Sequence, residues 1–143
     1  MENETENQTL NKSVNAVDER FTKPIGTIEH EKLQAKPVQC QGVRIDEKLN
    51  KEKTKRVGDL VVVICKHPDK DELIEITKCV HIENKSVKES GLWYNEDKEK
   101  NLQKGSSVAE LLKKYQATIL NDLIGKQLET ESNNSGYLVI KSY

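Results

Sequence analysis

No run of about 18 consecutive apolar residues occurs in this 143-residue chain, so a membrane-spanning helix is not expected. The N-terminus, Met-Glu-Asn-Glu-Thr-Glu, lacks the basic start and apolar middle of a secretory signal, and an intracellular, cytoplasmic location is expected. Charge of one sign is lacking too. With a net charge of −1, no global field draws the chain to nucleic acid or membrane, and electrostatic binding has to come from a local patch. Aromatic residues are only 4% of the chain, with one Trp and one Phe. The three cysteines, Cys40, Cys65 and Cys79, are odd in number and lack a disulfide-framework spacing. They read as small buried or half-buried hydrophobes in a reducing compartment.

The motifs of common enzymes are missing as well. Lys104-Gly105-Ser106-Ser107 lacks the upstream glycine of a phosphate-binding loop. No Gly-x-Ser-x-Gly turn presents a nucleophile. The carboxylates are mostly interleaved with lysines, the pattern of a solvated face. The chain therefore reads as a non-enzyme without a cofactor. Cys65-x-His67 and Cys79-x-His81 have the two-residue spacing of metal ligands on a strand. A tight turn at 68–71 pairs residue 65 with about 74 and leaves Cys79 opposite about 60. The two pairs are then on the order of 15 Å out of register, beyond one tetrahedral zinc. No metal site is expected, and the two pairs read as half-exposed cysteines and surface histidines.

What is present divides in two. Residues 1–36 carry seven acidic and five basic side chains, with scattered apolar residues. This composition predicts a flexible acidic tail. Val14, Val17 and Phe21 lie near helical spacing and allow a short helix or docking segment within it. Residues 37–143 read as one β-rich domain. Val38, Cys40, Val43 and Ile45 form strand one, with Gly42 where a bulge changes the phase. Residues 47–57 form a charged connection. Leu60 to Cys65 is β-branched and apolar on both faces, the pattern of a central strand. His67 to Asp71 is a turn. A one-sided strand follows, with Ile74, Ile76, Val80 and Ile82 on one face and Glu75, Thr77, Cys79 and His81 on the other. Strand character resumes from Val87 to Tyr94.

A helix begins near Ser107, which precedes Glu110 at the capping-box spacing. Its apolar stripe is Val108, Leu111, Leu112 and Tyr115. A second helical turn runs to Gly125, a C-terminal cap. Strands around Leu128 and at 137–140 flank a hairpin loop at 132–136. The fold class expected is mainly β with one α-helix. Five strands with a helix between the third and fourth resemble, in element order, the OB-fold single-stranded nucleic-acid-binding domains, a small Greek-key barrel. Gly91-Leu92-Trp93, Lys104-Gly105-Ser106, Gly125-Lys126 and Gly136-Tyr137-Leu138 are similar to blocks in short uncharacterised archaeal and mobile-element proteins. That similarity implies no chemistry.

The OB resemblance implies a binding face on strands two and three, flanked by the loops 47–57 and 132–136. The first loop holds Lys48, Lys51, Lys53, Lys55 and Arg56 against Glu47 and Glu52, a local net of +3. That suits phosphate neutralisation. Trp93 and Tyr94 offer base stacking, although alternation sends them to opposite faces. The expected ligand is single-stranded DNA or RNA, with the tail shielding the site or recruiting a protein partner. The other reading is a protein-interaction or assembly module, an accessory or virus-type protein with no nucleic-acid role, favoured by the near-neutral charge and few aromatics. The shielding idea is tested by removing residues 1–36: tighter binding is expected, and unchanged or weaker binding contradicts it.

Overall fold

The computed structural model describes residues 18–27 and 32–143. The readings for Val14 and Val17 lie outside them. The chain divides after Glu31 into two units. In the first, Asp18 accepts a hydrogen bond from the Arg20 amide at 2.9 Å and caps a 3-10 helix, Glu19–Thr22. None of its residues is buried, and Phe21 is exposed.

The second unit is mainly β with one short helix: a curled antiparallel half-barrel beside a second, mixed sheet, loosely OB-like. Strands β1 (Val38–Leu49) and β2 (Arg56–Lys66) form a long hairpin. Its ladder runs from Gln39↔Lys66 to Leu49↔Arg56 and is broken by a bulge between Cys40 and Gly42, where the sequence suggested one. The expected 47–57 connection is shorter than the composition implied. Strand pairing continues through Lys48↔Gly58 and Leu49↔Arg56, which leaves residues 50–55 as the turn. Asn50 explains the reach: its side-chain carbonyl accepts from the Thr54 and Lys55 amides at 2.9 and 3.3 Å and closes the turn locally.

The far edge of β2 is shared. β3 (Ile74–Ile76) pairs with it at Cys65↔Ile74, and β6 (Trp93–Tyr94) at Leu60↔Trp93. β4 (Lys78–Glu83) follows β3 after a break at Thr77 and enters the second sheet. There it pairs with β5 (Ser86–Gly91) on one side and, in parallel, with β9 (Leu138–Lys141) on the other. β8 (Thr130–Ser132) pairs with β9, and β7 (Gln127–Leu128) returns to the start of β1.

Helix α1 (Ser107–Lys114) buries Val108, Leu111 and Leu112, as its stripe predicts. Its cap lies one residue earlier than expected. Ser106 Oγ accepts from the Ala109 amide at 3.2 Å, while Ser107 Oγ donates to the Gly91 carbonyl at 2.7 Å and ties the helix to β5. Gly125, at φ +90°, follows the 3-10 helix Leu120–Leu123 in a conformation that favours glycine. The helix, the 3-10 turn and both sheets enclose one core, including Val61, Val63, Cys65, Cys79, Leu92, Leu123 and Ile140.

Three expectations about faces are corrected. Cys65 is fully buried rather than half-exposed, because it stands on the core side of β2. Cys79 is fully buried rather than half-exposed, because the break at Thr77 shifts the phase of the strand and sets Cys79 opposite Ser90 and Ile140. His67 is buried rather than on the surface. Its Nδ1 accepts from the Asp69 amide at 3.0 Å, so Nε2 carries the proton and donates to the Gln34 carbonyl at 2.8 Å. Residues 34–36 run along the domain there: Lys36 pairs with Asp69 at 2.8 Å, and its carbonyl accepts from Thr130 Oγ1 at 2.7 Å.

Ile140→Ala, at a fully buried position, should cost about 2–5 kcal/mol in urea denaturation. Ile82→Ala, on the exposed end of β4, should cost less than about 1 kcal/mol. Equal losses at both sites would contradict the placement of the core.

Candidate functional site

The site is built on the outer face of β2. Alternation sends Val61, Val63 and Cys65 into the core and leaves Leu60, Val62 and Ile64 on the opposite face. These are apolar as well, yet Leu60 is only 9% exposed and Val62 2%. Two covers account for this. At one end, Arg44 of β1 reaches over β2 to Glu75 of β3, with hydrogen bonds of 2.9 and 3.0 Å, and also holds Asp46 at 2.8 and 3.0 Å. Arg44 is the partner of Val62 and Glu75 of Ile64, so the ion pair spans the strand above both.

At the other end the cover is Trp93. Its indole lies along the sheet with its benzene edge over Gly58 and its pyrrole edge over Gly91. A Cβ on Gly58 would stand 3.3 Å from Trp93 Cε3, and one on Gly91 would stand 2.9 Å from Nε1. Neither glycine has a left-handed φ; the ring leaves no room for a Cβ at Gly91 and only a tight fit for one at Gly58. Trp93 as a whole remains 38% exposed.

The structure brings Lys48 and Trp93 together on this face. Lys48 is the partner of Gly58, on which the indole rests. Lys51, Lys53 and Lys55 are exposed in the 50–55 turn beyond it and have no ion-pair partner among the described residues. Arg56 does not join them. The shift between Lys48 and Leu49 turns it toward the opposite face, where it is paired with Asp59 and, at 3.3 Å, with Glu47. Tyr94 also faces the other way: it packs against the core and its hydroxyl donates to Glu96 at 2.7 Å. Glu96 holds that phenol above its usual range.

The face is electrostatically divided. Arg44, Asp46, Glu75 and Lys48 balance, and the unpaired positive charge lies in the turn. Hydrogen bonds from Arg44 hold the Asp46 and Glu75 carboxyls below their ordinary values. The loop at 132–136 stands elsewhere, folded on Asn133, whose side chain accepts from the Ser135 and Tyr137 amides at 3.0 and 2.9 Å. With Glu75, Ile76, Thr77 and Lys78 it borders a pocket of about 220 Å³.

Sequence reading did not find the Arg44–Glu75 bridge, whose partners are 31 residues apart. Nor did it find that Ser90, His81 and Glu83 meet on the β4–β5 hairpin. Ser90 Oγ is 3.5 Å from His81 Nδ1, and His81 Nε2 is 3.7 Å from Glu83. Both separations are longer than the 2.6–3.2 Å or so of a proton-transfer contact. Among the described residues no cluster of three or more His, Cys, Asp or Glu side chains has the arrangement to hold a metal ion. No helix among the described residues is long and apolar enough to cross a membrane. Comparison with protein-family models, curated proteins and solved structures finds no match.

Gly91→Ala should lift the indole and red-shift the single-tryptophan emission. Gly42→Ala, whose new Cβ would meet only Ile64 Cδ1 at 3.8 Å, should leave the emission unchanged. An unmoved spectrum in Gly91→Ala would contradict the seating of the ring. The acid limb supplies a second check. Lowered carboxyl values give stability that is present above the unfolded pKa of about 4 and is lost as pH falls through the folded values. These groups are in water, so the effect is small. Arg44→Gln should flatten the stability profile below about pH 4 in denaturant titrations. A slope equal to that of the unsubstituted protein would contradict the bridge.

Proposed function

We propose that this chain is a non-enzymatic module that binds single-stranded nucleic acid on the outer face of β2. One observation carries the reading. Trp93 is seated over Gly58 and Gly91 with a partly exposed ring, and Lys48 and the unpaired turn lysines stand beside it. Every base has a π-face, so a fixed aromatic ring recognises single strands without regard to sequence. Lys48, Lys51, Lys53 and Lys55 would neutralise phosphates along the same strand. Arg56 and Tyr94 contribute through the fold rather than by contact.

The strand pairings support the finer reading of the fold. The path β1–β2–β3/β4–β9–β8/β7–β1 returns to its start, with the β4–β9 step parallel, as in a five-stranded OB-like Greek-key barrel. The β5–β6 segment is an addition to that plan, and it delivers Trp93. In this reading the module works inside the cell, and the N-terminal tail modulates access or recruits a protein partner. A truncation that tests the tail should retain residues 32–36, because the Gln34 and Lys36 carbonyls accept hydrogen bonds from His67 and Thr130.

A second reading is assembly through a sheet edge. It is favoured by β1, whose outer edge from residue 42 to 49 has no strand beside it among the described residues.

The test is the anisotropy of fluorescein-labelled single-stranded DNA and RNA at two salt concentrations. Micromolar or tighter binding that weakens with salt is expected. Lys51/Lys53/Lys55→Ala should reduce the slope of log K against log salt by about 2. Trp93→Ala should weaken binding by about 1–3 kcal/mol with little change in slope. No binding at low salt, together with a concentration-dependent size, would overturn this reading in favour of assembly.

A further inference from the structure

Three cysteines are buried and free, and two of them are partners across the hairpin. Cys40 of β1 stands opposite Cys65 of β2. The backbone identifies the kind of pair. The Cys40 amide donates to the Lys126 carbonyl at 2.9 Å, and the Cys40 carbonyl accepts from the Gly125 amide at 2.8 Å. Both groups therefore point away from β2, and Cys40↔Cys65 is a non-hydrogen-bonded antiparallel pair. In such pairs the Cα atoms lie about 4.5 Å apart and the side chains approach closest. That separation falls within the window of about 4.4–6.8 Å in which a disulfide closes without moving the backbone. Both side chains lie in the same core. Cys79 is in that core too, but its strand partners are Ser90 and Ile140 in the other sheet.

We infer that Cys40 and Cys65 form a cross-strand dithiol that closes to an intramolecular disulfide when a thiol oxidant reaches it. In the reduced state each thiol donates to a carbonyl of its own strand, Cys40 to Gly42 at 3.5 Å and Cys65 to Val63 at 3.7 Å. Burial pushes both thiols up, Cys65 to about 12, so little thiolate forms while the core is closed. Both side chains are buried, so reaction waits on an opening of the core around the pair. The chemistry is two successive thiol–disulfide exchanges. One cysteine thiolate attacks oxidised glutathione and releases one reduced glutathione. The second thiolate then attacks the mixed disulfide and releases another. The two thiols lose two protons and two electrons, and the glutathione disulfide is reduced. The bond would close a loop containing the whole arm that carries the turn lysines and staple the arm at its root.

The full chain is tested in two arms: native protein with excess oxidised glutathione, and protein unfolded and refolded in an oxidised/reduced glutathione mixture. Peptide mapping by mass spectrometry reads the linkage. A Cys40–Cys65 bond in either arm, with Cys79 alkylatable after unfolding, is the expected result. The oxidised form should then melt at least about 5 °C higher than the reduced one. Cys79→Ala should form the same bond. A bond that includes Cys79, or none between 40 and 65 in both arms, would overturn the assignment.

Discussion

Strand β2 has to be covered on both faces, and most of the molecule follows from how that is met. Val61, Val63 and Cys65 face the core, and Leu60, Val62 and Ile64 face outward with no polar alternation to leave them to water. Each fully buried valine contributes about 1.5–3 kcal/mol, so an uncovered second face would forfeit much of the gain. The inner side is met by α1, the 3-10 turn and β9. On the outer side the cover is made from single side chains: an ion pair drawn across the strand from Arg44 to Glu75, and the indole of Trp93.

That division gives the surface its character. The ion-paired end is saturated, since the guanidinium of Arg44 is engaged by two carboxylates. The indole end is not: one face of the ring meets glycine backbone, and part of the rest meets solvent beside Lys48. A ring held against backbone loses little freedom when a ligand stacks on it, which is the advantage of preorganisation. The turn lysines lie beyond the saturated region, in a segment whose backbone is fixed by Asn50 while the side chains stay free.

Much of this was legible where the signal was local. The Leu60–Cys65 run, the α1 stripe, the bulge at Gly42 and the 132–136 turn each depend on neighbours a few residues away, which periodicity and turn chemistry report. The misses share a different cause. His67 is buried because residues 34–36 pass over it, and Cys79 turns inward because the strand changes sheets at Thr77. Arg56 leaves the basic cluster because a register shift at Lys48 reverses its face, and Ser106 rather than Ser107 caps α1 because Ser107 is drawn to Gly91. Trp93 was legible as a candidate but its seat was not. Gly58 lies 35 positions away in sequence, and only the Leu60↔Trp93 pairing brings it beneath the ring.

The most direct measurement is a nitrogen-15 heteronuclear correlation spectrum recorded during titration with a short oligothymidylate. The chain has one tryptophan, so the indole Nε1–H of Trp93 gives a single side-chain peak in a clear region. The expected result is a saturable shift of that peak together with the amides of residues 48–55. An indole peak that stays in place through the titration, whether other peaks move or none do, would contradict the role given to this face.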